Sequence, residues 1–182
     1  KDDPWGDMNT FIVDGPSALH NLPEPRTYTL PDFPDFPANL PNRPNIYLSG
    51  DTNKTISGDG RYDTITLTSS TILTIQLNGD THIRVARLEI PQGHIVLTGS
   101  GRLFLYVDEY FSISGSSHVN YDGDLERSWR YDPSQNGDPN KVMLYYNGTQ
   151  AITTQSGCSF SGTLYLNRAD LTISGGDSFV GN

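Results

Sequence analysis

A short motif occurs twice near the end of the chain, and this repetition limits the fold more than any other feature. Ser156–Gly162 (SGCSFSG) returns as Gly175–Gly181 (GGDSFVG), so that Gly157/Gly176, Ser159/Ser178, Phe160/Phe179 and Gly162/Gly181 all lie 19 residues apart. Between the copies run two alternating strands, Leu164-Tyr165-Leu166 and Leu171-Thr172-Ile173. A strand–turn unit of about 20 residues cannot bury its apolar face alone. It needs a copy of itself above or below, which is the arrangement of a β-solenoid.

The repeat continues backward. Ile56-Ser57-Gly58-Asp59-Gly60-Arg61 matches Leu97-Thr98-Gly99-Ser100-Gly101-Arg102 at an offset of 41, and Ile113-Ser114-Gly115 matches Ile173-Ser174-Gly175 at an offset of 60. Both are near multiples of the final repeat. From Asn45 onward apolar residues alternate: Ile65/Leu67, Leu73/Ile75/Leu77, Ile83/Val85, Leu88/Ile90, Ile95/Leu97, Leu103/Leu105/Val107 and Phe111/Ile113. Period two places each set on one strand face. A β-sandwich also shows short, regularly spaced strands, but it does not need Ile-Ser-Gly corners in phase. The expected fold is all-β: a single-stranded parallel β-helix (β-solenoid) with rungs of about 20 residues over 46–182.

Residues 1–45 read differently, as a Pro-rich N-terminal strap or linker holding nine of the twelve prolines. In LPDFPDFPANLPNRP (30–44) proline recurs at 31, 34 and 37, so in a polyproline II segment, with three residues per turn, Leu30, Phe33 and Phe36 share an edge. Two phenylalanines on one edge suit a strap lying on the domain. Tyr106, Tyr145 and Tyr165 are separated by 39 and 20 residues and point outward beside Leu103/Leu105/Val107 and Leu164/Leu166. They are expected to stack as an outer ladder, covered by the strap.

With 12 basic and 21 acidic residues the net charge is −9, which makes nucleic acid and anionic membranes poor partners and a cation or basic partner a better one. Cys158, the single cysteine, rules out an intrachain disulfide and fills the repeat position held by Asp177 in the next copy, as a small side chain of the rung. No apolar run reaches the length of a membrane span. A chain beginning at Lys1 suggests processing or trimming. Asn53-Lys54-Thr55 and Asn147-Gly148-Thr149 are sequons.

Residues 120–141 interrupt the pattern as a polar loop insertion. Asp122, Asp124 and Glu126, with Asp132 and Asp138, are a candidate calcium site or the carboxylates of a glycan-degrading enzyme. Calcium is thus a possible cofactor, although the full ligand series of an EF-hand loop is missing. Trp129 and Tyr131, flanked by Arg127 and Arg130, are the candidate ligand or partner contact. His20, His82, His94 and His118 stand singly, without zinc-ligand spacing. Thr64, Thr66 and Thr68 form an outward row that is not repeated on other rungs, as an ice-binding face would require. Neither a nucleophile elbow nor a phosphate loop is present.

The stretch HIVLTGSGRLFLYVDEYFSISG (His94–Gly115), together with Ser156–Gly181, resembles the C-terminal β-helix domain of PilX-like proteins associated with bacterial type IV pili. The likeness covers roughly Ile56–Gly181. It implies a structural or adhesive role outside the cell or at the bacterial cell surface, with pilus or cell-surface subunits as partners, and it brings no catalytic residues. The expectation is a non-enzymatic module, the alternative being a carbohydrate-binding or polysaccharide-degrading β-helix. The chain stops one residue past a Phe-x-Gly corner, so either more chain or another subunit is expected against that edge.

Overall fold

The structure, a computed structural model, describes residues 32–122, 132–155, 157–174 and 176–181. Every described strand lies within one compact unit, Phe33–Asn182. That unit is a β-solenoid of about six turns with rungs of about 22 residues. The strands are β1 (Ile46–Leu48), β2 (Lys54–Ser57), β3 (Gly60–Leu67), β4 (Thr71–Asn78), β5 (Thr81–Ile90), β6 (Gly93–Ser100) and β7 (Leu103–Ile113). They continue as β8 (His118–Val119), β9 (Val142–Tyr146), β10 (Ile152–Thr153), β11 (Ser159–Ser161), β12 (Thr163–Leu166), β13 (Leu171–Thr172) and β14 (Ser178–Val180).

All pairing among the described strands is parallel. One sheet runs β1-β3-β5-β7-β9-β12, a second β14-β11-β8-β6-β4-β2, and a short third pairs β10 with β13. The long strands bend: the β5–β7 register shifts between Val85 and Arg87, and a bulge turns the chain. In the last two rungs the two limbs of that bend are separate strands, β9 then β10 and β12 then β13. The register confirms the repeats. Ile56, Ile75 and Leu97 stack in one column, which gives the offset of 41. His118, Ser159 and Ser178 stack in another, so the offset of 60 spans one long rung and one short one.

Alternation makes the core. Ile83, Leu105 and Leu144 form one inward column, and Leu73, Ile95, Val119 and Phe160 another, all buried. Each such side chain contributes about 1.5–3 kcal/mol through apolar burial. The columns end on the half-buried Leu164, Leu166, Leu171 and Phe179 in the last rung.

At the corners, acceptors on one rung reach the next. Asn45 Oδ1 accepts from the N–H groups of Asp63 and Thr64, Asn53 Oδ1 from Ile72, and Asp59 Oδ1 from His82. These side chains satisfy amides that the interrupted ladder would leave bare. Asp177 does the same at the end, accepting from the Cys158 N–H at 2.8 Å and the Thr154 hydroxyl at 2.6 Å. Burial works against its charge, but these bonds prevail and its pKa is lowered. Cys158 itself is fully buried, its Sγ 3.0 Å from the Gln155 carbonyl, and burial pushes the thiol pKa up. It is a packing residue, as its repeat position implies. Gly99 shows why a corner needs glycine: its φ is +82° and an added Cβ would lie 2.2 Å from the Leu77 carbonyl oxygen.

The insertion leaves after β8 and returns before β9. Its neck is fastened by Asn120, almost fully buried, whose amide donates to the carbonyls of Asp138 and Ser161 at 2.9 Å each. Tyr121 bridges to Asn136, and single 3-10 turns span Pro133–Gln135 and Pro139–Lys141. No helix among the described residues is long and apolar enough to cross a membrane.

Candidate functional site

The outer face of the first sheet carries the expected tyrosine ladder. Tyr106, Tyr145 and Tyr165 are paired in register on β7, β9 and β12. Their rings stack with centroids 5.4 and 4.9 Å apart, within 12° of parallel. Adjacent parallel strands lie about 4.8 Å apart, so identical side chains in one column are brought to stacking distance by the ladder itself.

The strap lies on this ladder. Phe36 packs on Tyr106 at 5.1 Å and Phe33 meets Tyr145 edge-on at 6.1 Å. Leu30, the third residue expected on that edge, is outside the described residues. Burial, followed by the neighbouring Tyr145 and Asp59, raises the Tyr106 pKa and keeps the phenol protonated. Its hydroxyl sits 3.2 Å from Nδ1 of His82.

Arg84 locks the strap to the face. Its Nε donates to both carboxylate oxygens of Asp108 (3.2 and 3.0 Å), one terminal nitrogen donates to the Pro37 carbonyl at 3.1 Å, and the guanidinium lies 5.6 Å from the Phe36 ring centre. Both ends of this ion pair are mostly shielded from water, so it holds more firmly than a fully exposed pair. Two residues along from the tyrosines runs a polar column. The backbone N–H of Asn147 donates to the Val107 carbonyl and that of Asn167 to the Tyr146 carbonyl, which sets Asp108, Asn147 and Asn167 on three successive rungs. The Asn167 side-chain amide donates to Asn147 Oδ1 at 2.8 Å. Between this column and the strap is an open groove of about 470 Å³, lined by Phe33, Pro34, Asp35, Phe36, Arg84, Asp108, Asn147 and Asn167.

This groove was not singled out from the sequence, although its signal was present. The offsets of 39 and 20 that align the tyrosines also align Asp108, Asn147 and Asn167.

The insertion gives a different picture. Trp129, Tyr131, Arg127 and Arg130, the expected contact residues, and Asp124 and Glu126 of the expected calcium set lie outside the described residues. Asp122 begins the loop, its N–H donating to the Gln135 carbonyl. Asp132 and Asp138 cap the two 3-10 turns: Asp132 accepts from the Ser134 hydroxyl and N–H, Asp138 from the Asn140 N–H and side-chain amide. These bonds hold both carboxyls below their usual range. Among the described residues no three His, Cys, Asp or Glu side chains converge as a metal site.

Two histidines that stand singly in the sequence meet in the structure. His94 and His118 are adjacent in one outward column of the second sheet, their rings stacked at 5.1 Å. Outward side chains are normally wet, yet both are buried: the two rings cover one another, and Tyr121, at the base of the insertion, stacks on His118 at 4.8 Å. His118 Nδ1 is 2.8 Å from the Ser159 hydroxyl, whereas Nδ1 of His94 has no hydrogen-bond partner among the described residues. Burial lowers the pKa of each to about 4, with the neighbouring His118 adding to the shift at His94. This arrangement is a neutral packing pair.

A family model described as a domain of unknown function, DUF7305, matches residues 39–182, which takes in every described strand. The chain belongs to this family. Neither the curated proteins nor the solved structures gave a match. Within the DUF7305 match lie Arg84, Asp108, Asn147 and Asn167, whereas Phe33 and Phe36 precede it.

Proposed function

We propose that this DUF7305 chain is a structural and adhesion module of the bacterial cell surface, associated with type IV pili, that works as a stiff rod presenting its sides to a partner. The observation that carries this reading is the strapped outer face. A proline-rich segment is docked by Phe33 and Phe36 onto a stacked tyrosine ladder and clamped by Arg84. With the ladder covered, this face offers a partner the strap itself and the groove beside it, held on a rigid scaffold. The surface placement and the association with pili come from the likeness of His94–Gly115 and Ser156–Gly181 to PilX-like β-helix domains.

The test uses the parent strain and its gene deletion. Antibody labelling of intact cells should detect the protein, it should co-purify with sheared pilus fibres, and the deletion should reduce attachment to surfaces. Labelling that appears only after cell lysis would overturn the surface assignment.

A further inference from the structure

We propose that the groove between the strap and the polar column binds a neutral, hydroxyl-rich chain: a short stretch of polysaccharide lying along the solenoid axis. The inference rests on the surface-module reading for where such a ligand is met, and on the groove itself for the chemistry.

The polar wall is periodic. Asp108, Asn147 and Asn167 present one polar side chain per rung, at the spacing of about 4.8 Å that separates parallel strands. That repeat is close to the length of one sugar ring along an extended glycan. The hydrogen-bond inventory is also suitable. Arg84 spends Nε on Asp108 and one terminal nitrogen on Pro37, and Asn167 spends its amide on Asn147. The second terminal nitrogen of Arg84, the side-chain NH2 of Asn147 and the side-chain oxygen of Asn167 are not used by these bonds, and all three residues line the groove, which is open to solvent. Donors and acceptors side by side suit hydroxyl groups, each of which can both give and accept.

Charge selects against anions. Arg84 and Asp108 neutralise one another at 3.0 Å, and the remaining carboxylate of the lining, Asp35, repels anions. A peptide strand is disfavoured too, because the groove lies on a sheet face whose backbone groups are already paired in the ladder, so no edge is offered for strand addition. The opposite wall, Phe33, Pro34 and Phe36, adds a small apolar strip to a mainly polar groove, enough to meet part of the C–H side of a sugar ring. A volume of about 470 Å³ falls within the usual range for small-ligand sites.

The experiment titrates the purified chain by calorimetry with cellohexaose, chitohexaose, mannohexaose, the anionic hexagalacturonate and a ten-residue Ser/Thr peptide. In parallel, ¹H–¹⁵N spectra follow the side-chain amides of Asn147 and Asn167. At least one neutral hexamer should bind and shift both amides. Asn147→Ala and Asn167→Ala should each weaken that binding by about tenfold, or about 1.4 kcal/mol. Should a variant unfold, the amide shifts in the unaltered chain decide alone. The proposal is overturned by no binding of any neutral hexamer at millimolar concentration, by binding that leaves both amides unmoved, or by preference for hexagalacturonate or the peptide. A failed surface assignment would instead show on intact cells, so the two outcomes are separable.

Discussion

Taking the pH from 7 to 5 protonates ordinary histidines while carboxylates keep their charge, and so isolates the stacked pair beneath the insertion. In an unfolded chain His94 and His118 titrate near 6.5; in the fold both are held to about 4. Above pH 6.5 neither state binds protons at these sites and stability is unaffected. Between 6.5 and 4 the unfolded chain binds more protons, so stability falls by up to about 1.4 kcal/mol per pH unit for each ring, levelling off below 4. At pH 5 this amounts to about 2 kcal/mol for His94, and about half as much for His118 after discounting for solvent screening. Urea denaturation at pH 7, 6 and 5 should therefore show a loss of about 3 kcal/mol in the wild type and a much flatter profile in His94→Gln/His118→Gln. Asp80, Asp132, Asp138 and Asp177 have lowered pKa values, so their contribution is lost only below about 3.8, outside this window. Equal pH slopes in wild type and double variant would refute the reasoning.

Three further substitutions probe separate parts of the fold. Asn120→Ala strips the buried Ser161 carbonyl and the partly buried Asp138 carbonyl of a donor and should cost about 2–3 kcal/mol by chemical denaturation, with faster tryptic cleavage after Lys141. Gly99→Ala drives a Cβ into the backbone of the rung below at a positive φ and should cost about 3 kcal/mol or more; an unchanged thermal midpoint would mean the corner can relax. Phe36→Ala uncovers Tyr106, costs about 1–2 kcal/mol for a half-buried ring, and lets the raised phenol pKa fall back toward 10 in a spectrophotometric titration.

The solenoid was legible because its physics is periodic. Leu73, Ile95, Val119 and Phe160 stack in one column, and each announces itself by alternation with its neighbours. The strap on the tyrosines was legible for the same reason, with a period of three meeting offsets of 39 and 20. The cover that Tyr121 places over His118 was not, because it comes from a loop with no period, and burial of an outward side chain leaves no mark on the strand that carries it. The groove fell between these cases. Asp108, Asn147 and Asn167 obey the tyrosine offsets, but a carboxylate beside two amides is not a conspicuous repeat, and only the docked strap makes a wall opposite them.

The strap has a mechanical meaning as well. Its contacts run along the long axis, from the Pro41 carbonyl at Arg61, through Pro37 at Arg84 and Phe36 at Tyr106, to Phe33 at Tyr145: four successive rungs. The hydrogen bonds of the solenoid point along that same axis, so tension between its ends loads the rungs in series and opens them one at a time, as a zip opens. A segment fastened across four rungs carries part of that load in parallel. Those rungs must then yield together, and a pulling experiment on the chain should record one large rupture there where an unstrapped solenoid would give several small ones.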